Sequence, residues 1–89
     1  MAKVENISTR LRWTREALGH RQSDWCRLTG IGPQAWNNYE RGLRRISLKH
    51  SIKLCEKIGV SLDWIYRGVT TGLPKTFAEK MRSARTRFD

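Results

Sequence analysis

Residues 22–45 read QSDWCRLTGIGPQAWNNYERGLRR, and this stretch decides the fold. Two short segments with helical apolar spacing, Gln22–Thr29 and Pro33–Arg41, meet at Gly30-Ile31-Gly32. Glycine is the preferred residue just past a helix C-terminus, where the backbone turns left-handed. Proline fits the first position of the next helix, where its missing N–H costs nothing. The pattern predicts two helices joined by a tight turn. At 100° per residue, Trp36, Tyr39 and Leu43 cluster on one side of the second helix. Gln34, Asn37, Asn38 and Arg41 cluster on the opposite side. This helix is expected to bury an aromatic face and to present a row of amides with an arginine.

Asn and Gln make paired donor–acceptor contacts with adenine in the major groove of DNA, Arg does the same with guanine, and an α-helix fits that groove. The alternative for such a face is plain solvation. Three features count against it together. The preceding helix joins through a tight turn. The face is nearly uncharged, where solvated helix faces usually carry Lys and Glu. A basic run of Arg41, Arg44, Arg45, Lys49 and Lys53, with no acid among them, starts at the end of this same helix and can grip phosphates.

Outward from this stretch, Gly19, Gly30, Gly42, Gly59 and Gly68 punctuate the chain. They divide it into five helices: Asn6–Leu18, Gln22–Thr29, Pro33–Arg41, Leu48–Ile58 and Leu62–Arg67. The first carries Ile7, Leu11 and Leu18 on one face, and the second carries Trp25, Cys26 and Thr29. The fourth carries Ile52, Cys55 and Ile58, with Leu48 one turn earlier. Ser47 and Ser61 are expected N-caps of the fourth and fifth. Nothing alternates at period two for long enough to suggest a sheet, so the fold class is all-α. Residues 1–68 form one domain on this reading. Residues 69–89 are a linker, Val69–Pro74, followed by a sixth helix or a basic tail. Thr76 and Glu79 have capping-box spacing. Phe77, Met81, Ala84 and Phe88 follow at helical steps among Lys75, Lys80, Arg82, Arg85 and Arg87.

Composition bounds the rest. A chain of 89 residues that is 38% apolar can bury one small core. A net charge of +10 implies an acidic polymer as partner, nucleic acid before an anionic membrane surface. No apolar run approaches the roughly 18 residues of a membrane span, and Met1 to Leu18 lacks a signal-peptide core, so a cytoplasmic setting is expected. Cys26 and Cys55 read as reduced, buried, small hydrophobes. His20 and His50 have no ligand-like spacing to them, so neither a metal nor a cofactor is expected. There is no Ser/His/Asp set, no carboxylate pair in a plausible cleft and no phosphate loop, hence no enzyme. There is no room for a small-molecule ligand domain.

The chain resembles the Cro and phage-repressor type of helix-turn-helix proteins, the XRE family, from about Asn6 to Gly68. The resemblance rests on Gln22 opening the first motif helix, Gly30 at the turn and Ile31 after it. It rests further on Trp36 and Tyr39 at buried positions, Glu40-Arg41-Gly42 closing the second motif helix, and Gly59-Val-Ser-Leu-Asp-Trp64 entering helix five. It implies a five-helix, phage-repressor-like DNA-binding domain with its second motif helix in the major groove. It also implies a bacterial or phage transcriptional regulator, repressor-like and commonly dimeric on a palindromic operator. Position by position it implies base contacts from Gln34 and Asn38, with Asn37 beside them, and a phosphate contact from Gln22. It implies a buried ion pair of Arg15 with Glu40. Arg41, Arg44 and Arg45 are expected phosphate contacts by charge and place.

The departures are informative. Arg21 stands where the family usually has a Ser or Thr N-cap, and it is expected to exchange stability for a phosphate contact. Cys26 replaces a small residue between the motif helices. Thr29 stands where an apolar residue is usual, its methyl serving instead. Pro33 occupies a common contact position with only van der Waals contact to offer.

Two questions of partnership stay open in the sequence. Leu62, Trp64, Ile65 and Tyr66 are more apolar surface than one small core need absorb. A homodimer surface of Leu62, Trp64 and Tyr66, or of Phe77 and Met81, is therefore expected; the alternative is that Trp64 and Ile65 complete the monomer core. A second function class is an antitoxin or other protein-interaction module whose residues 75–89 wrap a partner. Five basic residues against Glu79 and Asp89 give that segment +3, which fits nucleic acid better than a basic partner.

Overall fold

A computed structural model describes residues 4–75 and 79–80. Its helices are α1 Val4–Ala17, α2 Gln22–Thr29, α3 Pro33–Glu40, α4 Leu48–Ile58 and α5 Leu62–Arg67. No strand occurs among the described residues. Ser47 and Ser61 cap α4 and α5, each hydroxyl accepting from the backbone N–H three residues on, at 3.2 and 3.0 Å. The α2–α3 turn depends on Gly30, which sits at φ 75° and ψ 17°, the left-handed region that side chains rarely adopt. At Arg21 the N-cap of α2 makes no side-chain capping bond. Asp24, in the first turn of α2, compensates in part, lying 3.7 Å from Arg21 and hydrogen-bonded to Arg27.

Trp25, Trp36 and Trp64 form the centre of the core, with Leu11, Ile31, Leu54 and Ile65 packed around them. Helix α1 packs on α3 and α5, α2 packs on α3 and α4, and α4 packs on α5. The motif helices are thus backed on every inner side, and the domain measures 29 × 27 × 23 Å.

Three expectations are corrected and one is extended. Helix α3 ends at Glu40, with Arg41 as its C-cap, so Leu43 leaves the aromatic face and is 61% exposed in the following loop. On α4 the buried residues are Ser51 and Leu54, whereas Leu48 and Ile52 are 58% and 43% exposed. The reason is a polar pair in the core: Ser51 donates to the Tyr66 hydroxyl at 2.7 Å, and Tyr66 donates to the Ile46 carbonyl at 2.9 Å. That pair turns the Ser51 side of α4 inward. Trp64 is buried, not part of an exposed dimer surface, because its Nε1–H donates to Thr14 Oγ1 at 3.0 Å. Thr14 in turn donates to the Arg10 carbonyl at 2.7 Å. Thr29 contributes its hydroxyl as well as its methyl, donating to the Trp25 carbonyl at 2.8 Å and accepting from Ile31 N–H at 3.4 Å.

Arg10 adds a link that no apolar pattern foretells. Its guanidinium donates to the Trp64 and Ile65 carbonyls at 3.0 and 3.1 Å, satisfying the open C-terminal end of α5 from the side of α1. Cys26 is buried and Cys55 half-buried, both free thiols. Burial pushes both thiols up from their ordinary pKa, which keeps them protonated and unreactive. Lys75, Glu79 and Lys80 are helical and exposed. Phe77, Met81 and the rest of the expected sixth helix lie outside the described residues.

Candidate nucleic-acid interface

The site is built on one buried carboxylate. Glu40, at the end of α3, accepts from Arg15 Nε at 2.6 Å and Arg15 Nη2 at 2.9 Å, a bidentate pair across to α1. It also accepts from Gln22 Nε2 at 3.1 Å, at the start of α2, and from Trp36 Nε1 one turn back on α3. The two charged side chains are 12% and 4% exposed. Arg15 donates further to the His20 carbonyl at 2.9 Å. The hydrogen bonds to Glu40 hold the Arg15 guanidinium above its ordinary pKa. Three helices are therefore tied to one another at the root of α3, and α3 has a fixed rotation.

Below that root runs a row of rings. His20, Trp25, Trp36, Tyr39 and His50 follow one another with centroid separations of 5.8, 5.7, 6.2 and 5.7 Å. The row passes beneath α3 and ends on α4, where the Tyr39 hydroxyl meets His50 Nδ1 at 2.6 Å. Burying this face leaves the other to solvent. Gln34 and Arg41 are exposed, and Asn37 and Asn38 are half-buried. Gln34 Nε2 lies 3.5 Å from Asn38 Oδ1, a long contact that either amide can exchange for another partner. The Asn38 carbonyl accepts from Leu43 N–H at 2.9 Å and Arg44 N–H at 3.3 Å, so the loop folds back on the end of α3. Arg41, Arg44 and Arg45 are thereby set beside the amide row, all exposed, and none forms an ion pair among the described residues.

The expected site residues divide accordingly. Gln34, Asn37, Asn38, Arg41, Arg44 and Arg45 share one end of the molecule around α3. Gln22 is half-buried and gives one amide N–H to Glu40, keeping a second N–H and its carbonyl oxygen. Arg21 is exposed at the N-terminus of α2, and Pro33 is exposed at the N-terminus of α3. Sequence reasoning missed His50 and His20 as ends of the ring row. The nearest signal was His50 at the third position after the Ser47 cap. Among the described residues no group of three His, Cys, Asp or Glu side chains could hold a metal ion, and no helix is long and apolar enough to cross a membrane.

The His50 contact carries a pH dependence. Burial, then Lys53 and Lys49, lowers the His50 pKa below its ordinary 6.5. Over the window between that depressed value and 6.5, the unfolded chain binds more protons than the folded one. Stability is accordingly present in full above pH 6.5 and declines as the pH falls through the folded value. Urea melts between about pH 7.5 and 5.5 are expected to show this decline, and His50→Gln to flatten it. An unchanged slope in the variant would assign the decline to other groups.

A helix-turn-helix family model matches residues 11–65, which takes in the whole of α2, the turn, α3 and α4. No curated protein and no solved structure matches the chain. The matched span covers more than half of the sequence and runs from the middle of α1 into α5. The chain belongs to the helix-turn-helix family of DNA-binding regulators, of the Cro and phage-repressor (XRE) type.

Proposed function

We propose that this chain is a sequence-specific regulator that seats α3 in the major groove of double-stranded DNA and acts as a repressor-like dimer on a palindromic operator. The observation that supports it best is the division of α3. One face is locked by Glu40 and the ring row, and the other carries three amides with an arginine-rich loop hydrogen-bonded to its end. Gln34, Asn37 and Asn38 then read base edges. Arg21, the free N–H of Gln22, and Arg41, Arg44 and Arg45 hold phosphates and fix the register. The setting this implies is the cytoplasm of a bacterial or phage-infected cell.

Selection from a randomised duplex library at physiological salt tests this. A palindromic motif with half-sites about 10 base pairs apart is expected. Enrichment of no sequence would leave charge-driven binding alone and remove the operator reading. The division of labour is tested on the selected site. Gln34→Ala or Asn38→Ala is expected to relax the sequence at single positions, each at a cost of about 1–3 kcal/mol. Arg44→Ala is expected to weaken binding to all sequences alike and to lower the salt slope by about one. If Gln34→Ala and Arg44→Ala behave alike across sequences, the sorting into base and phosphate contacts is wrong.

A further inference from the structure

The buried face of α3 carries an indole and a phenol, side chains that give up one electron readily. Trp36 and Tyr39 meet nearly at right angles with centroids 6.2 Å apart, and Trp25 continues the row from Trp36 at 5.7 Å. Trp25 and Trp36 are wholly buried and Tyr39 almost so, which shields an oxidised ring from water and dissolved oxygen. The row also has a place for the proton that a phenol sheds on oxidation. The Tyr39 hydroxyl meets His50 Nδ1 at 2.6 Å. Burial, then Lys53 and Lys49, lowers the His50 pKa, so the imidazole is neutral near pH 7. With its own proton on Nε2, it accepts the Tyr39 O–H at Nδ1. Trp36 is also tied to a proton acceptor, its Nε1–H donating to Glu40. Tyr66 is built differently. Its hydroxyl donates to the Ile46 carbonyl, which is no base, and accepts from Ser51. Packing alone would need no base on the Tyr39 hydroxyl.

We infer that Trp36, Tyr39 and His50 form an electron donor to oxidised guanine in the DNA that α3 binds: Tyr39 gives the electron by way of Trp36, and His50 takes the phenolic proton. Guanine is the most easily oxidised base, so charge lost anywhere in a duplex collects on it. With α3 in the groove, the rings lie across one helix diameter from the base edges, on the order of 10 Å. An electron tunnels that far through protein sooner than oxidised guanine adds water. The step balances. The guanine radical cation gains one electron and becomes guanine. The Tyr39 phenol loses that electron and, as a strongly acidic radical cation, its proton, leaving a neutral phenoxyl radical. His50 gains the proton, so the positive charge passes from the base to the imidazole. A soluble thiolate then supplies one electron and becomes a thiyl radical, while His50 returns the proton to the phenoxyl oxygen. The inference rests on α3 lying in the groove, but the Tyr39–His50 pair is tested without DNA.

Azide radicals made by pulse radiolysis oxidise the indoles of the free full-length chain first. The indole radical absorption is then expected to give way to phenoxyl absorption, at a rate independent of protein concentration. Tyr39→Phe, which keeps the ring, is expected to abolish the phenoxyl signal, and Tyr66→Phe to leave it. His50→Gln keeps a hydrogen-bond acceptor but no base, and is expected to slow the conversion at least about tenfold. A phenoxyl signal that survives Tyr39→Phe, or a rate indifferent to His50→Gln, overturns the inference. The second measurement uses a duplex carrying an intercalated photo-oxidant, with occupancy by the protein matched in a gel shift. Wild type is expected to suppress strand cleavage at guanine, and Tyr39→Phe at equal occupancy to lose most of that protection. Equal cleavage with the two proteins overturns the inference. A failed library selection would remove the operator reading, whereas equal cleavage on a duplex shown to be occupied removes the electron donor alone.

Discussion

Glu40→Gln is expected to lower the stability of the domain by about 3–5 kcal/mol, the cost of stranding a buried charge. The chemistry is unforgiving at this position. Glu40 accepts four hydrogen bonds, two from Arg15, one from Gln22 and one from Trp36. A glutamine of the same shape offers one oxygen and turns an N–H₂ towards donors. Arg15, at 12% side-chain exposure, then keeps its charge without a counter-ion and with little water. For a small domain with about 5–15 kcal/mol in total, this loss takes a large share. Urea denaturation checks it, with the midpoint falling and the slope unchanged. A midpoint within about 0.5 kcal/mol of wild type would show that the pair contributes little. Arg15→Met combined with Glu40→Gln is expected to recover part of the loss, because the neutral pair leaves no charge buried and the oxygen of the introduced amide still accepts from Trp36.

How much of this was legible in the sequence depends on the kind of interaction. The end of α2, both boundaries of α4 and the start of α3 at Pro33 follow from local chemistry: a glycine after a helix, a serine before one, a proline at the first position. Such signals act within three or four residues, so a linear reading captures them. The apolar face of α4 misled for a physical reason. Counting Ile52 as core assumes that apolar residues win the inside. Here a hydroxyl pair, Ser51 with Tyr66, turns the helix by about one residue, since a buried polar group that is fully hydrogen-bonded costs little. Tyr66 lies 15 residues from Ser51, and no periodicity connects them. The same holds for Arg10, whose acceptors lie 54 and 55 residues away. At the candidate interface the amide row was legible from helical spacing alone. The loop that sets Arg44 beside it was not, because that position comes from the Asn38 carbonyl and not from any side-chain pattern.

The Trp64 side chain tests the corrected reading directly: Trp64→Ala is expected to cost about 3–5 kcal/mol, the range for emptying a large aromatic site in a packed core. Its ring fills the space between α1 and α5, and its Nε1–H ends a chain of hydrogen bonds through Thr14 Oγ1 to the Arg10 carbonyl. The Arg10 guanidinium returns to the Trp64 carbonyl, closing the link on the backbone of α5. The deficit is expected to be the same at low and high protein concentration. A residue that stabilised the chain through a dimer contact would show a deficit growing with concentration, since association stabilises by mass action. Gentler variants separate packing from polarity. Thr14→Val leaves the Trp64 N–H buried without an acceptor and is expected to cost about 1–3 kcal/mol. Trp64→Phe removes the donor, so on that background Thr14→Val should cost distinctly less, a coupling of about 1 kcal/mol. Additive losses would mean that the 3.0 Å contact contributes nothing, and that Trp64 is held by packing alone.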